Sequence, residues 1–241
     1  MKRTKRRELD AYEEVLNGGF VRLVGSMGDD LSVVRAARVS YNADWREGGD
    51  EGSDMRLIRY LWKNKHTSPF EAVTFTFEVK APIFVLRQWH RHRTWSYNEV
   101  SARYTELDEG WYVPHPLDVG KQSIENKQTR KIDAVHRLAS EYYEAQSALV
   151  DLMDEHCRAG FELYSALLHR GMPRELARTV LPLATYSRMF ATVNLRNLLH
   201  FLELRDHEHA QWEIREYAQA LKLLAYGVVP TCMITFEESR T

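Results

Sequence analysis

The sequence predicts a single α+β domain, in which a mainly antiparallel or mixed sheet packs against several long helices. The chain has 241 residues, and 44% of them are hydrophobic, which is enough for one sizeable core. Segments with alternating apolar residues, typical of half-buried strands, occur among longer segments with helical spacing. No internal repeat, low-complexity linker or sharp change in composition divides the chain, so residues 1–241 are predicted to form one domain.

The N-terminal half is predicted to contain two strands and three helices. Apolar and polar residues alternate over residues 73–79, which is the pattern of a strand with one buried face. Pro82 suits the first turn of a helix, because it has no N–H to leave unpaired. In chain order, the predicted segments are a charged, solvated leader at residues 1–14, a strand at 20–24, a helix capped by Asp29 or Asp30, a loop at 42–53, a helix at 55–61, a strand at 73–79 and a short helix from Pro82 to Trp89.

The C-terminal half is predicted to be mostly helical. A loop at residues 108–122 is followed by helices at 124–159 and 164–170, a strand at 189–193, and helices at 198–207 and 212–225. Gly171 and Pro173 are expected to end the second of these helices. The first carries an apolar stripe that we assign to the core or to a subunit interface, made up of Ile132, Val135, Leu138, Tyr142, Ala145 and Leu149.

Composition argues against several classes of protein. The formal net charge is −1, so bulk charge does not indicate a general nucleic-acid binder. No apolar run approaches the roughly 20 residues of a membrane span, and the basic N-terminus lacks the apolar segment of a secretory signal. Cys157 and Cys232 are far apart and form no CxxC pair. We therefore expect a protein of the reducing cytoplasm, either of a cell or of a virus-infected host.

One segment combines charge and aromatic residues in an unusual way. Between Arg87 and Arg103 there are four arginines and two histidines, interleaved with Trp89, Trp95 and Tyr97. Buried charges need partners, so an ordinary core segment does not tolerate this mixture. Three interpretations remain open from the residues alone: a phosphate or nucleotide site, a salt-bridged structural turn, and a surface for single-stranded nucleic acid.

The same segment resembles the RHRxxSxNxxSxR signature of flavin-dependent thymidylate synthases. The seven fixed positions are Arg91, His92, Arg93, Ser96, Asn98, Ser101 and Arg103. Seven fixed positions are far more specific than a lone glycine-rich motif. Further blocks resemble the family in the family's order, and they contain His66, Ser68, Pro69, Phe70, Glu71, Arg178, Val180, Leu181, Pro182, Asn194, Arg196 and Arg205. The resemblance extends from about Gly19 to Ala225.

The resemblance implies an enzyme that methylates dUMP to dTMP. It implies FAD as the cofactor, with NADPH and methylenetetrahydrofolate as co-substrates. The folate donates a one-carbon unit to C5 of the uracil, reduced flavin supplies the hydride, and tetrahydrofolate leaves. The resemblance also implies a homotetramer whose active sites lie at subunit interfaces.

The resemblance further implies roles for individual residues. Arg205 is the expected catalytic residue, because the family uses an arginine at this position to polarise the uracil. His66 is expected beside the flavin and the folate entrance. The expected FAD contacts are Ser68, Arg91, His92, Arg93, Glu99, Asn194, Arg196 and His200. The expected dUMP contacts are Gln88, Arg91, Glu99, Ser101, Arg103, Arg178 and Arg205.

Other chemistries are weaker candidates. Cys157 lies within a long predicted helix and Cys232 lies near the C-terminus, and neither position is typical of a nucleophile, so we expect no cysteine nucleophile. His207 and His209 do not complete a zinc motif, because Gln211 stands where the second histidine of HExxH belongs. We therefore expect no metal site. Two alternative functions stay open: a binding module for single-stranded nucleic acid, and a family member that binds nucleotide without turnover.

Overall fold

The computed structural model describes residues 11–41, 50–132 and 140–240. Within these ranges, a five-stranded antiparallel sheet has the strand order β1-β2-β3-β7-β4. The strands are β1 (Tyr12–Val15), β2 (Gly19–Met27), β3 (Thr74–Pro82), β4 (Ser96–Glu99) and β7 (Tyr186–Asn194), while β5 (Lys121–Gln122) and β6 (Arg130–Lys131) form a separate hairpin. The predicted α+β class with a mainly antiparallel sheet is confirmed.

The described part of the chain contains eight helices. They are α1 (Asp30–Arg38), α2 (Glu51–Lys63), α3 (Ile83–Trp89), α4 (Ser140–His169), α5 (Arg174–Ala177), α6 (Leu195–Arg205), α7 (Trp212–Tyr226) and α8 (Pro230–Glu238). Short 3-10 turns span Val39–Tyr41, Ser68–Ala72, Pro116–Asp118 and Arg178–Val180. Among the helices in the described part of the chain, none combines the length and the apolar character that a membrane span requires.

The main core lies between β3 and the helices α6 and α7. Phe75, Phe77 and Val79 on β3 are each 0% exposed, while the residues between them are partly exposed. This is the alternation that the sequence predicts. Leu198 on α6 and Leu221 on α7 belong to the same buried cluster. Full burial of such a side chain contributes about 1.5–3 kcal/mol, so this layer fixes the position of α6 against the sheet.

Strand β7 connects the core to the segment that carries the signature. Its register with β3 runs from Pro82↔Tyr186 to Thr74↔Asn194. On its other side β7 pairs with β4, from Ser96↔Thr192 to Glu99↔Met189. Asn194 ends the strand and caps α6, because its Oδ1 accepts a hydrogen bond from the Asn197 N–H at 3.0 Å. The chain therefore passes directly from the strand that pairs with the signature into helix α6.

Two predicted helix starts are confirmed, and one loop is shorter than expected. Asp29 caps α1 through a capping box with Ser32, whose N–H donates to Asp29 Oδ1 at 3.0 Å. Pro82 directly precedes α3. The loop predicted at 42–53 falls partly outside the described residues, at 42–49. Helix α2 already begins at Glu51, because Asp50 caps it by accepting from the Ser53 N–H at 2.6 Å.

The N-terminal leader also differs from the prediction. Residues 1–10 lie outside the described ranges, but Tyr12–Val15 form strand β1. Charged side chains suit an edge strand, because one of its faces remains in water. The last residues of the predicted leader therefore belong to the sheet.

The helices predicted at 124–159 and 164–170 are wrong in their limits. Residues 121–131 contain the β5–β6 hairpin, and α4 is a single helix of 30 residues that passes through Gly160. Gly160 has a packing role, since a Cβ there would lie 3.1 Å from Pro182 Cδ. The predicted apolar stripe does not form a core face of α4: Ile132 precedes the helix, and Leu149 is 51% exposed. Val135 and Leu138 lie outside the described residues. The alternative assignment of the stripe to a subunit interface stays a prediction. The buried residues of α4 are Gln146, Val150, Cys157, Phe161 and Tyr164.

We predict that Gly19→Ala destabilises the protein by about 1–3 kcal/mol, because overpacking forces backbone shifts. A Cβ at Gly19 would overlap the Tyr217 hydroxyl and would lie 2.6 Å from the Lys80 carbonyl oxygen. Gly25, on the same strand, has no atom within 4 Å of such a Cβ and provides the control. Gly25→Ala should change the free energy of unfolding by less than about 1 kcal/mol. Urea unfolding measures both values, and equal effects would contradict the packing argument.

Candidate active site

Buried aromatic residues anchor the signature segment. Trp89 is 0% exposed and Trp95 is 5% exposed, and both pack on Phe201 of α6 with ring centroids 5.0 and 5.2 Å away. The Tyr97 hydroxyl lies within hydrogen-bond distance of the Trp89 and His92 carbonyl oxygens, at 3.0 and 2.9 Å. The two tryptophans are therefore structural. Their rings are not available for stacking on bases, which disfavours the surface for single-stranded nucleic acid.

The cations of the same segment have the opposite environment. Arg91 and Arg93 are exposed. Among residues 11–41, 50–132 and 140–240, neither guanidinium has a hydrogen-bond or ion-pair partner. A salt-bridged structural turn would pair these groups. Two unpaired guanidinium groups on a rigid loop are instead suited to binding an anion, and phosphate in particular.

Arg205 contacts the signature directly. It is the last residue of α6 and lies one helical turn after Phe201, so both side chains project from the same face towards the signature loop. Its Nε–H donates to His92 Nε2 at 2.9 Å. Burial, together with the nearby charges of Arg205 and His200, lowers the pKa of His92 to about 4. His92 is therefore neutral at physiological pH and can accept this hydrogen bond.

The environment of Arg205 also affects its own charge. Burial lowers the pKa of Arg205 from its usual value. An arginine nevertheless keeps its proton in proteins, so a half-buried positive charge remains at this position. Such a charge interacts more strongly with a neighbouring anion than a fully solvated one does.

Glu99 is held by groups from two other segments. Its Oε1 accepts a hydrogen bond from Ser187 Oγ at 2.7 Å, and its Oε2 lies 4.0 Å from His90 Nε2. His90 Nε2 is buried without a hydrogen-bond partner among the described residues. Buried polar atoms normally have a partner. This orphaned nitrogen therefore indicates a place where a bound group completes the site.

Gln88 is fixed from the start of α7. Its Nε2 donates to Gln211 Oε1 at 2.5 Å, and Gln211 directly precedes that helix. Gln211 lies six residues after Arg205, so the connection between α6 and α7 begins at one predicted nucleotide contact and holds another, Gln88.

A second group of predicted residues lies around Glu175. Arg103 Nε is 3.8 Å from Glu175 Oε2, and Arg178 Nε donates to the Glu175 carbonyl oxygen at 3.3 Å. The Arg103 N–H also donates to Ser101 Oγ at 3.3 Å. The structure thus brings three predicted dUMP contacts together. Within the described ranges, however, no hydrogen bond or ion pair joins this group to Arg205.

The remaining predicted residues lie around the N-terminus of α6. Arg196 NH1 contacts Glu71 Oε1 at 2.5 Å, which ties the helix to the 3-10 turn Ser68–Ala72. Ser68 and His66 are both exposed, and the ring of His66 packs edge-on against Tyr60 at 6.1 Å. The ring of His200 lies 6.3 Å from that of His92.

Comparison with known proteins identifies the family. A family model described as thymidylate synthase complementing protein matches residues 22–231. The flavin-dependent thymidylate synthase of Treponema denticola is 44% identical over 229 residues, which cover 95% of this chain and 83% of that protein. The enzyme of the same name from Thermus thermophilus is 46% identical over 224 residues, covering 93% of this chain and 77% of that protein. The chain belongs to the flavin-dependent thymidylate synthase family.

A solved structure agrees with this assignment. The UMP/dUMP methylase PolB from Streptomyces cacaoi, bound with 5-Br UMP, has a TM-score of 0.80 and 37% sequence identity. The match covers 93% of this chain and 96% of that one.

The residues present fit the FAD that the family name implies. The unpaired guanidinium groups of Arg91 and Arg93 suit a pyrophosphate, because charge-assisted hydrogen bonds to phosphate are strong. The orphaned His90 Nε2 beside Glu99 offers a further polar contact. His92 is the exception among the predicted FAD contacts: it is only 7% exposed, and its Nε2 is already engaged by Arg205.

Sequence analysis missed several residues that hold the site together. They are Tyr97, Glu175, Ser187, Asp206 and Gln211. Asp206 is adjacent to Arg205, and that adjacency was the one available signal. Ser187 and Gln211 contact residues distant in sequence, so periodicity could not reveal them. Tyr97 lies within the signature segment, but its hydrogen bonds to backbone carbonyl oxygens have no sequence pattern. Burial raises the pKa of both cysteine thiols, which agrees with the expectation that neither is a nucleophile.

We predict that His92 makes the protein less stable in mild acid. The pKa of His92 is about 4 in the folded protein against an ordinary value of 6.5, so the unfolded chain takes up the proton first as the pH falls. The free energy of unfolding should therefore decrease between these two values. His92→Gln should remove this part of the decrease, while its amide oxygen can still accept from Arg205. Urea unfolding across this pH range measures the free energy of unfolding of both proteins. If it decreases equally with pH in the wild type and in His92→Gln, the lowered pKa of His92 is contradicted.

Proposed function

We propose that the chain converts dUMP to dTMP, with FAD as cofactor, NADPH as reductant and methylenetetrahydrofolate as carbon donor. The observation that carries this proposal is the hydrogen bond between Arg205 and His92. It joins the seven-residue signature to the arginine that the family resemblance assigns to the uracil. The dUMP named for the Streptomyces cacaoi structure supports the same substrate.

The proposed dUMP contacts follow from charge and hydrogen-bonding capacity. Arg103 and Arg178, which lie together at Glu175, bind the phosphate, and Ser101 donates to it. Gln88 is fixed by Gln211 and reaches the nucleotide through its remaining amide atoms. Arg91, Glu99 and Arg205 complete the proposed contacts.

The proposed FAD contacts surround the signature and the N-terminus of α6. They are Ser68, Arg91, His92, Arg93, Glu99, Asn194, Arg196 and His200, with His66 at the entrance for flavin and folate. When bound, FAD supplies the hydride that reduces the transferred one-carbon unit. His92 contacts FAD with the ring atoms that its hydrogen bond to Arg205 leaves free.

Arg205 is the proposed catalytic residue. Bond formation at C5 of the uracil pushes negative charge towards N3 and O4. A guanidinium that is already fixed and partly shielded from water stabilises this charge without reorganising. Because His92 accepts the Nε–H, the two NH2 groups of Arg205 are left available as donors to the substrate. No enzyme nucleophile is needed, which agrees with the burial of Cys157 and Cys232.

Assembly and location belong to the same proposal. Residues 1–241 act as one domain in a homotetramer with active sites at subunit interfaces. Among the described residues, no hydrogen bond or ion pair joins the Arg103–Arg178 group to Arg205, which is compatible with a shared site that draws the two groups from different subunits. The enzyme acts in the cytoplasm.

Product analysis by mass spectrometry tests the reaction. The protein is incubated without oxygen with FAD, NADPH, dUMP and methylenetetrahydrofolate. We expect dTMP together with tetrahydrofolate, and only when NADPH is present. If dihydrofolate is produced and NADPH is not required, the folate and not the flavin is the reductant, and the flavin route is refuted. Absence of dTMP from protein that binds FAD would refute the proposed reaction.

We predict that Arg205→Ala lowers kcat about 100- to 1,000-fold, as the loss of a fixed oxyanion donor does. FAD content, measured by visible absorbance, should change little. Arg158→Ala provides the control, because that arginine forms an exposed ion pair with Asp154 on α4. Loss of FAD in proportion to activity would show that Arg205 holds the cofactor instead.

A further inference from the structure

The residue after Arg205 is the centre of an ion-pair network, in which the carboxylate is buried and its cationic partners are partly exposed. The side chain of Asp206 is 8% exposed, and its Oδ2 contacts Lys222 Nζ at 2.6 Å and Arg240 NH1 at 3.0 Å. Gln219 Nε2 donates to Oδ1 at 3.4 Å. Arg240 NH2 also donates to the Asp206 carbonyl oxygen. Side chains from α7 and from the segment after α8 therefore converge on the residue that ends α6.

This carboxylate is stabilised in its charged form. Burial alone raises the pKa of Asp206, but hydrogen bonds and charge from Lys222 and Arg240 outweigh burial and leave the pKa below its usual value. A buried carboxylate with two cationic partners is held more firmly than an exposed pair, because removing one partner leaves a buried charge uncompensated.

The network acts on the backbone that carries the catalytic arginine. Asp206 caps α6, and its N–H donates to the Leu202 carbonyl oxygen at 2.9 Å. Among the residues that the structure describes, the guanidinium of Arg205 is held at its Nε alone, by His92. The Nε of Arg205 is thus fixed by His92, and the backbone next to its Cα is fixed by Asp206. A shift of this backbone would tilt the two NH2 groups, which His92 does not hold.

We propose that Asp206 is a positioning residue, which orients Arg205 towards the uracil by binding Lys222 and Arg240. This inference rests on the proposed role of Arg205. It gives the ion-pair network a role in the reaction in addition to its contribution to stability.

Kinetics of matched variants test the proposal. We expect Asp206→Asn to lower kcat per bound FAD about 10- to 100-fold, since small misplacements of a catalytic group have effects of this size. The KM for methylenetetrahydrofolate should be little changed. Arg240→Ala should give a smaller decrease of the same kind. Arg59→Ala is the control: it breaks the ion pair with Glu238, which also fastens α8, but does not involve Asp206.

A double-mutant cycle separates positioning from general stability. If Asp206 acts through Arg205, then Asp206→Asn causes no further loss of residual turnover in an Arg205→Ala background. The proposal would be overturned if the fold-decrease in turnover of the double variant equalled the product of the fold-decreases of the two single variants. An equal decrease in kcat per bound FAD for Arg59→Ala and Arg240→Ala would also overturn it.

A third measurement does not depend on turnover. NMR of protein labelled at histidine Cε1 reports the pKa of His92, which is identified among the ten histidines by His92→Gln. The charged or titratable groups that lower this pKa are Arg205 and His200. In Asp206→Asn, displacement of Arg205 should raise the pKa of His92 from about 4, while burial keeps it below 6.5. An unchanged pKa of His92 in Asp206→Asn would overturn the proposal. This result does not depend on whether the wild-type protein forms dTMP, so it is distinguishable from a failure of the proposed function.

Discussion

A hydrogen bond between a neutral imidazole and a half-buried guanidinium organises the site. Because His92 is buried against Phe201, with ring centroids 4.7 Å apart, it cannot easily hold a proton and so accepts from Arg205. A protonated His92 would repel Arg205 instead. The apolar contacts that bury this histidine therefore also determine where the arginine points. The tryptophans on either side of the signature loop serve the same purpose, since they fix the loop on Phe201.

The arginines of the site fall into two classes that differ in solvation. Arg91 and Arg93 are exposed and have no partner among the described residues, which suits recognition of a charged ligand that arrives from water. Arg205 is partly buried and held at one end, which suits stabilisation of charge that develops during a reaction. Residue type alone does not distinguish these two roles. They are distinguished by the burial of the side chain and by the number of its donors that the protein holds in place.

Local patterns predicted the parts of the fold that have a regular period. The alternation on β3 and the capping box at Asp29 depend on neighbours in sequence, and both are confirmed. The predicted end of the helix before Gly160 is wrong, because packing against Pro182 overrides the low helix propensity of that glycine. The family signature located the candidate site, but the burial of Trp89 and Trp95 could not be predicted. They belong to a helix end and an irregular loop, whose burial depends on a helix about a hundred residues later in the chain.

The separation of the site residues along the chain has a consequence for folding. His92 and Arg205 are 113 residues apart, and β7 must be placed between β3 and β4 before the two can meet. Strands β1, β2 and β3 pair with neighbours that are closer in sequence, and closing the shorter connections between them costs less chain entropy. Contacts of high sequence separation form late and slowly. A partly folded chain can therefore have most of its sheet without any active site, and nucleotide or flavin will stabilise only the completely folded form.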